Sequence, residues 1–218
     1  MNVLVVAPHS DDEILGCGGT LFKHIRENDT VYSCIVTQAY TPEWSEHEIE
    51  ERKVEINRVS ELVGFKKVYC LDLPTVKLDS VPTKYINDML YNIIREVKPE
   101  ILYIPHCGDI NRDHQIVFEA AMVASRPIND NVPKIILSYE VLSSTEWYTQ
   151  HAFNPNVFVD ISQTLSMKIK AMSEYKHGLR IYPHPRSIEG IISLAKVRGM
   201  ASGMKVAESF SLVREIIK

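Results

Sequence analysis

Short apolar runs alternate along this chain with longer segments whose apolar residues recur every three or four positions. The runs that predict strands lie at residues 3–7, 31–36, 67–71, 101–104 and 134–138, and the segments that predict helices lie at 15–26, 45–63, 83–97, 115–124 and 162–175. This alternation is typical of βαβ units, in which helices cover a sheet of parallel strands. We therefore expect an α/β fold with a mostly parallel, Rossmann-like sheet flanked by helices.

The pattern becomes less regular after about residue 138. Residues 156–160 predict one more strand, and Ser162 is a candidate N-cap for the helix that follows it. Two prolines in residues 180–187 indicate an ordered loop, after which the sequence predicts a last helix to about Met204 and a terminal strand at 209–214. We expect this irregular C-terminal part to lie near the functional site. A chain of 218 residues can bury a normal core, so we expect one domain over residues 1–218.

The composition argues against several classes of protein. The chain has 24 basic and 28 acidic residues, whereas a nucleic-acid-binding protein usually presents a basic face. No stretch approaches the roughly 20 apolar residues of a membrane-spanning helix, and the first residues lack the pattern of a signal peptide. We therefore expect a cytoplasmic protein with neither a nucleic-acid nor a membrane partner. The sequence leaves the oligomeric state open, a homo-oligomer included.

The cysteines show no metal-binding or disulfide pattern. They have no Cys-x-x-Cys spacing, and all lie in or beside apolar segments, at Cys17, Cys34, Cys70 and Cys107. We expect reduced, buried thiols, with the alternative that Cys107 lines the candidate site described below.

Polar and acidic residues directly follow the first predicted strand. His9, Asp11, Asp12 and Glu13 come after Pro8 and before the glycine-rich residues 16–19. Ligands of open α/β sheets bind outside the carboxyl ends of the strands, so an imidazole and two adjacent carboxylates here can bind a metal and supply a base. The alternative is a solvated helix N-terminus, where acidic residues complement the helix dipole.

A second polar cluster follows the strand predicted at residues 101–104. After Pro105 the chain reads His106-Cys107-Gly108-Asp109-Ile110-Asn111-Arg112-Asp113-His114. Parallel strands of one sheet bring such loops to the same edge, so His9, Asp12 and His114 make a candidate metal site. Three protein ligands with an open position for water are the arrangement of catalytic zinc, although Fe(II) and Mn(II) accept the same ligand types.

These segments resemble the LmbE/PIG-L family of metal-dependent deacetylases, which act on N-acetylglucosamine-type sugars. The family patterns A-H-P-D-D-E and H-x-D-H correspond here to Pro8-His9-Ser10-Asp11-Asp12-Glu13 and Asn111-Arg112-Asp113-His114. The likeness extends through residues 51–55 to residues 184–187 and so covers most of the chain. Ser10 replaces the usual proline, and Asn111 stands where many members have a histidine.

The resemblance implies a hydrolase that removes an N-acetyl group from a small amino sugar or its conjugate. The implied cofactor is Zn2+ on His9, Asp12 and His114, and Asp11 is the implied general base, which can then return its proton to the leaving amine. Asn111 can donate a hydrogen bond to an oxyanion but has no proton to give near neutral pH.

Several other residues have two interpretations each. Arg52 corresponds to a family arginine associated with substrate binding, and the alternative is an ion pair with Glu48 or Glu55. His184 and Arg186 are further candidates for substrate contacts. Three aromatic residues can stack on a sugar ring, although aromatic side chains are more often part of a core: Trp44, Trp147 and Tyr148.

The remaining polar residues of the two loops have expected supporting roles. Glu13 is expected to bond backbone donors of the glycine-rich turn, and Asp113 to orient a neighbouring ligand. His106 and Asp109 either bind substrate or tie their loop together.

Two other functional classes stay open at this point. One is a metal-dependent hydrolase of another amide or of a phosphoester, although phosphoester hydrolysis usually requires two metals about 3.5–4 Å apart and the ligand count supports one. The other is a non-catalytic sugar- or nucleotide-binding α/β domain. The chain has all three candidate metal ligands and a neighbouring base, and their presence together argues against this second class.

Overall fold

A computed structural model describes residues 1–128, 132–148 and 151–217. In order along the chain, the described strands are β1 (Asn2–Ala7), β2 (Thr30–Gln38), β3 (Lys67–Pro74), β4 (Ile101–Pro105), β5 (Ile135–Tyr139), β6 (Val157–Asp160) and β7 (Ala207–Glu215). The described α-helices are α1 (Asp12–Arg26), α2 (Glu46–Val63), α3 (Thr83–Val97), α4 (Arg112–Ala124), α5 (Leu165–Glu174) and α6 (Ile188–Ser202). Short 3₁₀ helices lie at Leu78–Ser80 and Thr145–Trp147.

The strands form one sheet in the order β3-β2-β1-β4-β5-β7-β6. The first five strands are parallel, and β7 runs antiparallel to both β5 and β6. The α/β fold with a mostly parallel sheet is therefore confirmed. Because the chain winds outward from β1 in one direction and from β4 in the other, the loops after these two strands diverge. Such a switch point leaves a crevice at the carboxyl ends of the strands, where ligands bind.

The central strand β1 is buried on both faces. Val3 and Val5 pack into a core with α1, α2 and α5, whereas Leu4 and Val6 pack into a second core with α3 and α4. A strand covered on both faces requires a continuous apolar run, which is what residues 3–7 provide. The first polar loop therefore begins over the middle of the sheet.

Helix α1 begins at Asp12, three residues before the predicted start, so Asp12 and Glu13 form its first turn. Gly16 allows this helix to lie close to the sheet, because a Cβ at this position would overlap the ring of Tyr139. The Tyr139 hydroxyl donates a hydrogen bond to the backbone oxygen of Val6 at 2.8 Å. Close packing of α1 on β1 and β5 therefore fixes the helix N-terminus at the crevice.

Two expectations from the sequence are wrong. Ser162 does not cap α5, which begins at Leu165 with Thr164 as its N-cap residue. Ser162 lies instead in a turn at the end of β6, where its backbone nitrogen donates to Asp160 Oδ1. The thiols are free, but only Cys17 and Cys34 are buried, whereas Cys70 and Cys107 are exposed. Cys70 lies on the edge strand β3 and Cys107 in the loop after β4, positions that the sheet does not enclose. None of the helices in the described ranges has the length and apolar character needed to cross a membrane.

Candidate active site

A cavity of about 690 Å³ opens at the carboxyl ends of β1, β2 and β4. The loops after β1 and β4 form its floor, and the N-terminal half of α2 forms one wall. The irregular C-terminal part supplies another wall, as expected. The predicted site residues that line the cavity are His9, Asp11, Asp12, Arg52, Asn111, His114 and Arg186. His184 is not among the lining residues.

Three side-chain atoms on the cavity floor form a nearly equilateral triangle. His9 Nδ1 lies 3.2 Å from Asp12 Oδ2 and 3.3 Å from His114 Nε2, and His114 Nε2 lies 3.3 Å from Asp12 Oδ2. Ligand atoms placed 2.0–2.2 Å from a tetrahedral zinc ion are roughly 3.3–3.6 Å apart. Two imidazoles and one carboxylate at these separations therefore fit a single divalent ion.

A further carboxylate lies behind each of the two histidines. His9 Nε2 is 3.0 Å from Asp113 Oδ2, and His114 Nδ1 is 3.1 Å from Asp109 Oδ2. The hydrogen bond between His9 and Asp113 favours the tautomer with the proton on Nε2, which leaves His9 Nδ1 free to bind a metal. The Asp109 contact lacks hydrogen-bond geometry, but its negative charge favours a proton on His114 Nδ1 and so leaves His114 Nε2 free. This arrangement of carboxylate, histidine and metal is usual in protein metal sites, and it adds support to the triangle of donors.

The negative charge of these carboxylates changes the pKa values of the histidines. Burial works against the charged imidazole of His9, but hydrogen bonds to Asp113 and Asp12 raise its pKa to about 9. Burial also opposes charging of His114. The charge of Asp12 and the contact with Asp109 nevertheless raise the pKa of His114 to about 10. Groups that attract a proton so strongly also attract a divalent cation.

Asp109 and Asp113 are themselves held by several donors. Asp109 accepts hydrogen bonds from Ser144 Oγ at 2.8 Å, Thr145 Oγ1 at 2.6 Å and the Asn111 backbone nitrogen at 2.8 Å. Asp109 is fully buried, so it ties its loop to the segment after β5 and does not face the cavity.

His106 lies outside the cavity lining, where its ring packs edge-on against Phe153.

Asp11 lies beside the triangle and is the N-cap of α1. Its φ of 110° is in the left-handed region, and its backbone nitrogen donates to Glu13 Oε2 at 3.2 Å. Glu13 Oε1 also accepts from the Tyr175 hydroxyl at 2.5 Å. Glu13 therefore supports the turn at Asp11 and not the glycine-rich residues 16–19 as expected, because those residues lie within α1. Burial, followed by the charge of Asp12, raises the pKa of Asp11, and the charge of Arg186 opposes this shift.

Gly178 packs directly against the side chain of Asp11. A Cβ at Gly178 would lie 2.5 Å from Asp11 Oδ2, so only glycine leaves room for this carboxylate. Arg186 Nη1 lies 3.4 Å from the same oxygen. The C-terminal part of the chain therefore encloses the carboxylate at a position where it can exchange a proton with a bound molecule.

Asn111 caps the N-terminus of α4 and lines the cavity at the same time. Its Oδ1 accepts a hydrogen bond from the Asp113 backbone nitrogen at 3.0 Å. Because the oxygen takes part in the cap, the amide NH₂ is the group that remains to donate to a ligand.

The candidate substrate contacts differ in their surroundings. Arg52 lies over the Trp44 ring, 5.8 Å from its centroid, and within the described parts of the chain it forms no ion pair with Glu48 or Glu55. Glu55 is buried and accepts from the Lys176 backbone nitrogen at 3.1 Å. The Nε atoms of Arg52 and Arg186 are buried and, among the described residues, have no hydrogen-bond partner. Both side chains line the cavity, but the Arg186 guanidinium is already paired with Asp11 through its Nη1 atom.

His184 supports the neighbouring loop. Its Nδ1 accepts from the Arg186 backbone nitrogen at 3.1 Å, and its ring lies 6.3 Å from that of Trp147. Of the three aromatic candidates, Trp44 lines the cavity, whereas Trp147 and Tyr148 are not among the lining residues.

The sequence reasoning missed part of the wall. Tyr175, His177, Gly178 and Arg180 also line the cavity. They extend from the end of the helix predicted at 162–175 to the start of the loop at 180–187, and this position was the only available signal.

The comparisons with known proteins agree with this geometry. The family described as PIG-L, GlcNAc-PI de-N-acetylase, matches residues 4–125, more than half of the chain. The chain belongs to the PIG-L family. The matched part includes both polar loops and every residue of the donor triangle.

Curated relatives of this PIG-L protein are deacetylases. It is 29% identical over 188 residues to the diacetylchitobiose deacetylase of Thermococcus kodakarensis, a match that covers 80% of this chain and 68% of the relative. It is 26% identical over 186 residues to an uncharacterised deacetylase of Escherichia coli, covering 80% of this chain and 90% of the relative.

Two solved structures share this fold over 97–100% of the chain. A conserved protein of Thermus thermophilus has a TM-score of 0.80 at 24% identity, covering 100% of this chain and 97% of that chain. The N,N′-diacetylchitobiose deacetylase of Pyrococcus horikoshii has a TM-score of 0.78 at 22% identity, covering 97% of this chain and 83% of that chain.

Proposed function

We propose that this protein is a zinc-dependent N-deacetylase, which hydrolyses the acetamide of an amino sugar or its conjugate. The observation that carries the proposal is the donor triangle of His9, Asp12 and His114 with the buried carboxylate of Asp11 beside it. Membership of the PIG-L family and the deacetylase relatives support the same reaction.

His9 Nδ1, Asp12 Oδ2 and His114 Nε2 are the atoms that would hold the ion. A zinc ion bound there would polarise the acetamide carbonyl and lower the pKa of a water molecule towards roughly 7. Asp109 and Asp113 keep the two imidazoles in the required tautomers.

Asp11 is the proposed general base and acid. Its carboxylate accepts a proton from the attacking water as the new carbon–oxygen bond forms. It then transfers this proton to the amide nitrogen as the carbon–nitrogen bond breaks. The raised pKa of Asp11 suits both transfers, because a group that titrates close to the working pH both accepts and donates. The products are acetate and the free amine.

Asn111 is the proposed donor to the oxyanion. Its NH₂ group can stabilise the developing negative charge, but it has no proton to transfer near neutral pH. The acid step is therefore assigned to Asp11, which distinguishes this protein from family members with a histidine at the same position.

The guanidinium groups of Arg52 and Arg186 are proposed to bind polar groups of the substrate beyond the acetamide. Both line the cavity, and the buried Nε of each lacks a hydrogen-bond partner among the described residues. A guanidinium can hold paired hydroxyls or a phosphate through two parallel hydrogen bonds. His184 is proposed to act through Arg186, whose backbone nitrogen it accepts from.

We also propose that residues 1–218 form one deacetylase domain that works in the cytoplasm. A single sheet joins β1 to β7, and the four cysteines are free thiols, as is usual in a reducing compartment.

The proposal can be tested by measuring metal content and amine release on the same purified sample. Elemental analysis should find about one zinc per chain, as a site of three ligands implies. The same sample should release free amine from N-acetylglucosamine or N,N′-diacetylchitobiose. Two metals per chain would favour a phosphoesterase, and metal-free protein that stays inactive after zinc is added would contradict the proposal.

A further inference from the structure

Val76 has a backbone conformation that its side chain disfavours. Its φ is 58°, in the left-handed region, where a β-branched residue is a genuine outlier. The side chain is also 70% exposed, so burial in a core does not compensate for the strain. Stability alone would favour glycine or asparagine at this position, which indicates that the valine has a role other than folding.

The backbone of Val76 is tied to the candidate metal centre. Its nitrogen donates to Asp113 Oδ2 at 2.6 Å, and the same oxygen accepts from His9 Nε2 at 3.0 Å. The backbone nitrogen of Leu78, two residues further along the chain, donates to Asp113 Oδ1 at 3.3 Å. These bonds hold Val76 at the cavity, where it is a lining residue, and its high exposure places it at the mouth.

The segment around Val76 also contacts the neighbouring loop, which follows β2. Lys77 Nζ lies 4.4 Å from the centroid of the Tyr40 ring and 3.3 Å from Glu43 Oε1. Tyr40 packs edge-on against Trp44, with ring centroids 5.6 Å apart, and Trp44 lines the same cavity. Val76 and Trp44 therefore present apolar surface from two loops that Lys77 joins.

We propose that Val76 determines specificity by contacting the apolar C–H face of the sugar ring next to the one that loses its acetyl group. This inference rests on the proposed deacetylase function. A monosaccharide bound with its acetamide at the donor triangle fills the floor, whereas the second ring of a disaccharide extends towards the mouth. The strain at Val76 is retained because the side chain there contacts this second ring.

The test compares the KM of two substrates in two variants. Val76→Gly removes the side chain but keeps the N–H that Asp113 accepts, so zinc affinity and kcat should not change. The KM for N,N′-diacetylchitobiose should rise by roughly 10-fold, the effect of losing a few apolar groups from a binding contact. The KM for N-acetylglucosamine should stay within about twofold. Val76→Asn also fits a left-handed backbone and should behave like Val76→Gly, which keeps the test available if one variant does not fold.

A matched control separates backbone strain from substrate contact. Lys98 also has a positive φ, 49°. It caps the C-terminus of α3 just before β4 begins, at the amino ends of the parallel strands and away from the cavity. Lys98→Gly should relieve strain as Val76→Gly does, with a melting temperature no lower than that of the wild type and unchanged kinetics. Val76→Ile, which keeps an apolar side chain, should retain the wild-type KM for the disaccharide.

Three results would overturn the inference. Val76→Gly with unchanged KM for both substrates would show that the side chain contacts neither ring. An equal loss on both substrates, or a loss of zinc, would show that Val76 acts through Asp113 and not through the second ring. Wild-type protein that released no amine from either substrate would overturn the proposed function, and this inference with it.

Discussion

Replacing Asp113 tests whether the carboxylates behind the histidines determine metal affinity. The Asp113 carboxylate is 2% exposed and accepts from His9 Nε2, Val76 N and Leu78 N. In Asp113→Asn the amide oxygen can keep the two contacts made by Oδ2, but the NH₂ group then faces the Leu78 amide, and the negative charge is lost. In Asp113→Ala every contact is lost.

Mutations of such outer-shell partners typically weaken metal binding by about 10–100-fold, or about 1.4–2.7 kcal/mol. We expect the loss of zinc affinity to be near the lower end of this range in Asp113→Asn and near the upper end in Asp113→Ala. Zinc affinity would be measured by competition with a chelator of known affinity, and circular dichroism would confirm that each variant is folded.

Asp79→Asn is the matched control, because Asp79 lies in the adjacent 3₁₀ helix and is exposed. It should bind zinc as tightly as the wild type. If both Asp113 variants also kept wild-type affinity, the geometric argument from the tautomer of His9 would be refuted.

Further predictions concern the cavity wall. Asn111→Ala should lower kcat by up to about 10²–10³-fold, the effect of losing one oxyanion donor, without moving the alkaline limb of the pH profile; unchanged kcat would remove Asn111 from the site. Arg52→Ala and Arg186→Ala should raise KM more than they lower kcat, and unchanged KM in both would place them outside the substrate contacts. Arg186→Ala should also move the acid limb of kcat/KM to higher pH, because the Arg186 charge lowers the pKa of Asp11 and its loss leaves the base protonated at higher pH. In native protein a thiol reagent should modify exposed Cys70 and Cys107 but neither buried cysteine, and a bound inhibitor should protect Cys70, which lines the cavity, but not Cys107.

The sequence was sufficient to predict the central part of the fold. Residues 3–7 and 101–104 are apolar over their whole length, as parallel strands buried on both faces require, and each is followed at once by polar residues. Because parallel strands of one sheet end at the same edge, these two patterns alone bring His9, Asp12 and His114 into one predicted cluster.

Other features could not be predicted, because they depend on contacts between distant segments. Gly178 is recognisable as a close neighbour of Asp11 only when the C-terminal part is folded over the first loop. Among the described residues Arg52 has no ion pair with Glu55, because Glu55 is held by a backbone amide 121 residues further along the chain. The strained φ of Val76 has no sequence signal, since a β-branched residue predicts the opposite conformation.

Local propensity also failed where a side chain fixed a turn before the helix. Ser162 has the right chemistry for an N-cap, but Asp160 accepts from its backbone nitrogen and fixes a turn there. Thr164 then precedes the first residue of α5.

Zinc content and kcat in two variants show whether Asp11 is a base beside a metal ion that three other residues hold. Asp11→Asn should retain about one zinc per chain, yet its kcat should fall by more than the roughly 10²–10⁴-fold typical of general acid–base catalysis, because the base and acid roles are lost together. His9→Ala should lose the zinc. An Asp11→Asn variant without zinc, together with a His9→Ala variant that binds it normally, would contradict these roles.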